Sequence, residues 1–394
     1  MGGRLLGRKV ALVVAWPVLG GTERTVLRVA NEIIREGAHV EIVALTDAEG
    51  RFRDEVRALR IPWHPVRVDW SGGRVAKTVQ LALLASRLRS LRPDVVMAYS
   101  KQPNVLCGLV WRVTGASLFV WNQRDVIPWG STRHALAARA ARASPMHIAN
   151  SRVAQAFLVR ELGVRPERVH VVYNTAELAP PAASRAEWRA RLGISEQTLV
   201  VTMLAHLTHR KDHPTLLRAW RNVVESYSGP TVLLVAGRAA GAEQEAKAVA
   251  FDHGLDATKV RFLGDVEDVA GLLQATDLSV LCSKSEAYPN AVLESMVAGL
   301  PVAGTDLPGI REVIGPHQLR FLAPPGDAET LARALLELLE SRGLRENVGS
   351  ESARLVLERN GEGAATCMVD IIVEALTRRA REVDSIGTSA PAKT

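Results

Sequence analysis

A chain of 394 residues is longer than one ordinary hydrophobic core supports and fits two domains of about 180 residues each. Its 47% hydrophobic and 23% charged content is that of a folded globular protein, and no stretch approaches the roughly 20 uncharged apolar residues of a membrane span. The net charge of +7 is uneven: residues 1–182 hold 26 Lys and Arg against 14 Asp and Glu, and the remainder 23 against 28. The first half therefore suits an anionic partner, such as a phosphate-bearing acceptor, an acidic membrane surface or nucleic acid, or else reflects an Arg-rich proteome. Nucleic acid is not expected, because no recognised nucleic-acid module accompanies the basic residues.

The N-terminal MGGRLLGRKVALVVAWPVLGG sets basic residues before an apolar run, the layout of a secretory signal. The run is short, no small-residue cleavage site follows it, and a helical pattern begins at once. KVALVVAW at 9–16 is thus expected as a first buried strand and the protein as cytoplasmic. A helix near 22–36, HVEIVAL at 39–45, a helix near 74–91, DVVMAYS at 94–100, SLFVWNQ at 117–123, MHIANS at 146–151 and RVHVVYN at 168–174 continue the series. Strand and helix in alternation imply a parallel sheet covered on both faces.

Pro180 and Pro181, with the small residues after them, read as a linker. The alternation then restarts with TLVVTMLAH at 198–206, TVLLVAG at 231–237, KVRFLG at 259–264, DLSVLCS at 277–283 and PVAGTD at 301–306. The expected architecture is α/β, two doubly wound Rossmann-like domains at 1–180 and 181–365, with a ligand cleft where the carboxyl ends of the strands face each other. A helix at 366–381 is expected to cross back to the first domain, followed by a disordered tail at 382–394. Cys107, Cys282 and Cys367 lack pairing or metal-ligand spacing and are each expected as buried, reduced thiols. No zinc spacing, Walker loop, nucleophile elbow or Asp-x-Asp metal motif appears. The acids of GDVED at 264–268 are expected to cap the following helix.

SEAYPNAVLE, residues 285–294, joins a buried strand to a helix that Gly299 and Pro301 terminate. The backbone N–H groups of Tyr288 to Val292, around Pro289, Asn290 and Ala291, are expected to form an anion site at the helix start. Glu286 and Glu294 flank it. Carboxylates repel a diphosphate but accept hydrogen bonds from hydroxyls, so a diphosphate between hydroxyl-bearing rings, a sugar nucleotide, fits the pattern.

These residues resemble the retaining glycosyltransferases of family 4, with the GT-B fold. The resemblance rests on Glu286, AYPNAVL, Glu294 and SMVAGLPVAGTDLPGIREVI, and is joined by LGGTER at 19–24, IANS at 148–151, VHVVYN at 169–174, the Lys211 segment and LAPPGDAETLARAL at 322–335. It implies that Glu286 faces the donor sugar, that Glu294 binds the ribose hydroxyls, and that His206 and Lys211 meet the diphosphate, with Arg210 able to compensate for His206. Lys211 is the implied contact of the leaving group, where positive charge stabilises what builds up as the glycosidic bond breaks. Gly20 and Gly21 let backbone approach a sugar or acceptor, while Thr22 is expected to cap the helix that follows.

Two positions depart from the family pattern. Asn122 or Gln123 stands where many members place a His near the reacting sugar, with Arg124 and Asp125 beyond, and neither amide can act as a base. Ala287 replaces a common Gly. The basic segments 74–92 and 133–144 could lie on anionic lipid or be packed helices with a solvated side, and Trp63, Trp70 and Trp129 could be interfacial anchors or core.

The resulting expectation is a metal-independent, retaining transferase. It uses a UDP- or GDP-type nucleotide sugar as substrate, needs no cofactor, and serves a glycan or lipid-linked acceptor in bacterial cell-surface polysaccharide or lipid-linked glycan synthesis, in the cytoplasm or on the inner face of the membrane. The alternatives are a sugar-nucleotide epimerase of the same fold and a catalytically degenerate partner subunit.

Overall fold

The computed structural model describes residues 3–15, 19–68, 73–127, 130–175, 177–360 and 363–388. The chain divides into two units, Met1–Asn174 together with Gly363–Thr394, and Thr175–Glu362.

In the first unit the β-branched runs form strands β1 (Lys9–Val14), β2 (His39–Ala44), β3 (Trp63–Pro65), β4 (Val95–Tyr99), β5 (Leu118–Gln123), β6 (Met146–Ala149) and β7 (Val169–Val171). They make one parallel sheet in the order β3-β2-β1-β4-β5-β6-β7. The connecting helices are α1 (Gly21–Arg35), α2 (Arg51–Ala58), α3 (Arg74–Leu91), α4 (Lys101–Val110), α5 (Ser131–Ala143) and α6 (Arg152–Arg160). Side chains alternate across each strand. Val10, Leu12 and Val14 therefore join the core formed with Val26, Val29 and Ile33 of α1, while Ala11 and Val13 are buried on the opposite face.

Two elements of this unit carry no clear sequence signal. β3 is three residues at the sheet edge and ends in Pro65, which edge strands tolerate. α4 holds Pro103 in its first turn, where a missing N–H is harmless. The cap of α1 also differs from expectation: Gly20, not Thr22, is the N-cap, and its N–H donates to the Glu23 carboxylate at 3.2 Å. Thr22 is the second residue of the helix, too far in to cap it.

The second unit begins with α7 (Arg185–Arg191) and continues through β8 (Leu199–Leu204), α8 (His213–Ser226), β9 (Thr231–Ala236), α9 (Glu243–Asp252), β10 (Val260–Gly264), α10 (Val269–Ala275) and β11 (Leu278–Leu281). It closes with α11 (Asn290–Val297), β12 (Val302–Thr305), α12 (Pro308–Ile314), β13 (Leu322–Ala323), α13 (Ala328–Glu340) and α14 (Arg342–Asn360). This sheet is also parallel, in the order β10-β9-β8-β11-β12-β13. Asp268 caps α10 through Gly271 N at 2.9 Å and accepts from Trp188 Nε1 at 2.7 Å and from Ala182 N and Ala183 N, both at 3.0 Å. The residues after Pro181 are thus pinned to the second unit by one carboxylate.

α15 (Ala364–Thr388) belongs to the first unit. Met368, Val369, Ile372 and Leu376 enter the core of β1 and α1. The helix runs to Thr388, so residues 382–388, expected as tail, are helical; no proline interrupts them before Pro391. Residues 389–394 lie outside the described residues. Trp63 is packed rather than presented as an anchor, edge-on to Phe52 at 6.0 Å between centroids and under the Arg53 guanidinium at 5.3 Å. Trp70 and Trp129 lie outside the described residues. Cys107 and Cys282 are buried, but Cys367 is exposed, because α15 turns that face to solvent.

Candidate functional site

The strand order of the second unit reverses between β8 and β11, and the loops leaving the carboxyl ends of those neighbours meet there, at the place where open α/β sheets bind ligands. After β8 the chain makes a 3-10 turn, His209–Lys211, which Asp212 ends in the left-handed conformation (φ 41°, ψ 45°). A non-glycine residue there is strained. Asp212 is held by Thr215, whose hydroxyl donates to its carboxylate at 2.9 Å, as α8 begins. After β11 the segment 282–289 returns across the same place, and Lys284 N donates to Arg210 O at 2.8 Å.

This crossing brings Lys211 Nζ within 2.5 Å of Glu286 Oε1, with only 14% and 9% of the two side chains exposed. Ser283 Oγ donates to the same oxygen at 2.7 Å. Two opposite charges removed from water in this way interact far more strongly than an exposed pair. Arg210 is exposed at the rim and Lys284 stands 4.0 Å from Asp212. Gly309 at the start of α12 faces the other side: a Cβ there would lie 2.2 Å from Glu286 O and 2.6 Å from Ala287 O. Ala287 is itself buried.

His206 lies two residues beyond β8, half-buried, and its Nδ1 has no hydrogen-bond partner. Burial, then the positive charges of Arg238 and Lys211, push its pKa below the usual imidazole value, with Asp265 opposing. The ring is neutral at pH 7. Gly237 packs against it, since a Cβ would stand 2.0 Å from Ala205 O and 2.8 Å from His206 N. Arg238 follows, with its Nε buried and unpartnered. His213 is buried on α8, and burial, then the positive charge of Lys211, with Asp212 opposing, brings its pKa down to about 4.

α11 opens on Pro289 as N-cap and Asn290 as its first residue, with Ala291 next. Val292 N donates to Pro289 O at 3.2 Å and Leu293 N to the same oxygen at 3.3 Å. The expectation that Val292 offers a free N–H is therefore corrected: the helix turn tightens and consumes it. Tyr288 is buried, and its hydroxyl lies 3.2 Å from Asn360 Oδ1 and accepts from Asn360 Nδ2 at 2.9 Å, so its ring fastens α11 to α14. Glu294 is half-buried on α11. Sequence reasoning missed Ser283, Arg238 and Gly309, although each lies within two residues of a strand end or a helix start.

In the first unit Asn122 is fully buried, and both atoms of its amide are without partners. Gln123 accepts from Trp121 Nε1 at 2.7 Å and donates to Asp125 O at 2.5 Å. Arg124 donates to Thr25 Oγ1 at 2.8 Å and Asn174 Oδ1 at 2.7 Å, and burial lowers its pKa to about 10, which leaves it a cation. Among the described residues no cluster of His, Cys, Asp and Glu is arranged to hold a metal ion, and no helix is long and apolar enough to cross a membrane.

Comparison with known families gives two adjoining matches, "Glycosyltransferase Family 4" over residues 19–179 and "Glycosyl transferases group 1" over residues 184–354. The phosphatidyl-myo-inositol mannosyltransferase of Mycobacterium leprae is 26% identical over 366 residues, 86% of this chain and 90% of that protein. A UDP-Gal:alpha-D-GlcNAc-diphosphoundecaprenol alpha-1,3-galactosyltransferase of Escherichia coli is 22% identical over 88% of this chain and 91% of its own. A shorter match, 36% identical over 101 residues and 26% of either chain, is to N-acetyl-alpha-D-glucosaminyl L-malate synthase of Bacillus anthracis. Among solved structures, HepE of Anabaena in complex with UDP and glucose superposes with a TM-score of 0.79 at 21% identity, over 94% of this chain and 100% of that one.

Proposed function

The chain belongs to the family 4-type glycosyltransferases with the GT-B fold, and we propose that it moves a sugar from a nucleoside diphosphate donor, of the UDP or GDP type, to an acceptor hydroxyl with retention at the anomeric carbon. The observation that carries this reading is the buried Lys211–Glu286 pair at the switch point of the second sheet.

Lys211 is the cation for the leaving diphosphate, and Glu286, oriented by Lys211 and Ser283, is the carboxylate for the sugar. His206 and Arg210 are proposed as further phosphate contacts. The start of α11, from Tyr288 through Pro289, Asn290 and Ala291, presents backbone to the diphosphate. Glu294 takes the ribose hydroxyls. Gly20 and Gly21 of the first unit approach the acceptor or its sugar.

In the proposed step the bond from the anomeric carbon to the phosphate oxygen breaks, and its electron pair leaves with the nucleoside diphosphate. The acceptor oxygen bonds to the same face of that carbon, and its proton passes to the departing phosphate oxygen. No side-chain nucleophile and no metal ion enters this scheme. Lys211 supplies the electrostatic stabilisation where charge accumulates. The phosphatidyl-myo-inositol and diphosphoundecaprenol transferases named above support a lipid-linked acceptor; a polysaccharide acceptor, and a place in the cytoplasm on the inner membrane face, belong to the same proposal.

Glu286→Gln and Lys211→Ala are the test. Both variants are expected to keep the fold and lose transfer from a nucleotide sugar to acceptor, and turnover like the parent in either one sinks the assignment. The anomeric signal of the product, read by NMR, decides retention; turnover after exhaustive chelation decides the metal.

A further inference from the structure

Among the described helices, α3 carries more than one exposed large hydrophobic residue. At about 100° per residue, Val75, Val79, Leu83, Ser86 and Ser90 share an arc of about 80°, while the buried Leu84 and Leu88 lie on the far side. Val75, Val79 and Leu83 are 79%, 52% and 56% exposed. Single exposed apolar residues are ordinary, but here three follow each other along one stripe, with Arg87 and Arg89 on its two flanks.

The charge pattern separates this face from a merely solvated one. α8, α9 and α14 carry ion pairs four residues apart, such as Arg221–Glu225, Lys247–Glu243 and Arg354–Glu358. α3, α4 and α5, packed side by side, hold four, one and three Lys or Arg and no Asp or Glu. At the C-terminal end of the stripe lies a recess of about 710 Å³, lined by Ser86, Arg89, Ser90, Arg92 and Ser117. Its one acid, Asp94, accepts from Arg8 Nη1 and Lys9 N, both at 2.8 Å, so its charge is already compensated. Arg89 Nη1 donates to Val113 O at 3.2 Å, and Val113 itself is exposed.

We infer that this face docks on an anionic phospholipid membrane, with the Val75–Val79–Leu83 stripe entering the interface and a headgroup phosphate held in the recess by Arg89, Arg92 and the serine hydroxyls. An apolar stripe between cations matches the acyl boundary beneath a layer of phosphates. This rests on the membrane-face reading above and names its surface.

The full chain is mixed with vesicles of equal parts phosphatidylglycerol and phosphatidylcholine, or of phosphatidylcholine alone, and bound protein is read by flotation. Binding is expected to the first and at least tenfold weaker to the second. Val79→Ser/Leu83→Ser and Arg87→Gln/Arg89→Gln, all at exposed positions, are each expected to weaken it at least tenfold, with circular dichroism and transfer to a water-soluble acceptor unchanged. Equal binding to both vesicles, unaltered binding by either variant, or competition for the face by a nucleic-acid duplex overturns the inference. So does a dimer in sedimentation that Val79→Ser/Leu83→Ser dissociates. Vesicle binding needs no turnover, so a chain that floats but transfers no sugar keeps this inference and overturns the proposed function.

Discussion

Removing one partner of the Lys211–Glu286 pair separates the energetics of the site from its chemistry. Lys211→Met leaves a carboxylate that is 9% exposed with Ser283 as its remaining partner, and Glu286→Gln leaves an ammonium that is 14% exposed. An uncompensated buried charge costs about 3–5 kcal/mol; retention of the Ser283 bond and access of water at the loop rim place the cost of Lys211→Met near the lower figure. The double variant removes both charges, so it is expected to be less destabilised than the sum of the two by about 1–3 kcal/mol. Urea unfolding followed by circular dichroism measures the cycle. Turnover measures the second quantity: loss of a preorganised cation at a leaving phosphate is worth about 10²–10³ in kcat. Stability changes that add within about 0.5 kcal/mol would show that the two side chains are not coupled, and the account of the site would fall with them.

Gly309→Ala places a methyl group within 2.2 Å of Glu286 O, so it is expected to destabilise the second unit by about 1–3 kcal/mol and to impair transfer without touching a charged residue; a Tm like the parent's would contradict the packing. Asp268 has its pKa held down by hydrogen bonds from Trp188, Ala182, Gly271 and Ala183 against the opposing effect of burial. Its contribution is present above the unfolded carboxylate value near 3.9 and is lost as pH falls through the lower folded value; Asp268→Asn should flatten acid unfolding there and cost about 1–3 kcal/mol at pH 7, measured by urea titrations at each pH. Because the pKa of His206 is held below the ordinary imidazole value, the protonated ring is gained only on acidification. Donor affinity by calorimetry is then expected to tighten as pH falls below about 6.5, and His206→Asn to lose that slope.

The doubly wound architecture was legible because buried parallel strands read as near-continuous apolar runs rich in β-branched residues, as KVALVV and TVLLVA are, separated by amphipathic helices. β3 and α4 were not, since an edge strand needs little burial and Pro103 disguises a helix start. In the candidate site, the helix beginning at Asn290 followed from Pro289 and the apolar spacing. The meeting of Lys211 with Glu286 did not, because it depends on β8 lying beside β11, and lateral strand order leaves no mark on either segment. The same limit hid Ser283 and Gly309, whose roles come from loops crossing rather than from local pattern. Tyr288 was read for its backbone N–H alone; only the position of α14 reveals that its hydroxyl is spent on Asn360.

The return of α15 to the first unit has a consequence for biogenesis. Met368, Val369, Ile372 and Leu376 complete the core that Val10 and Leu12 begin, and the whole second unit is synthesised between them. At ribosomal rates of about 5–20 residues per second, the interval from Asn174 to Met368 is about 10–40 s. During that time the part of this core that α15 covers is exposed, a client surface for chaperones, whereas the second unit is one uninterrupted stretch of chain. The part of the chain made later is therefore the one able to finish folding first.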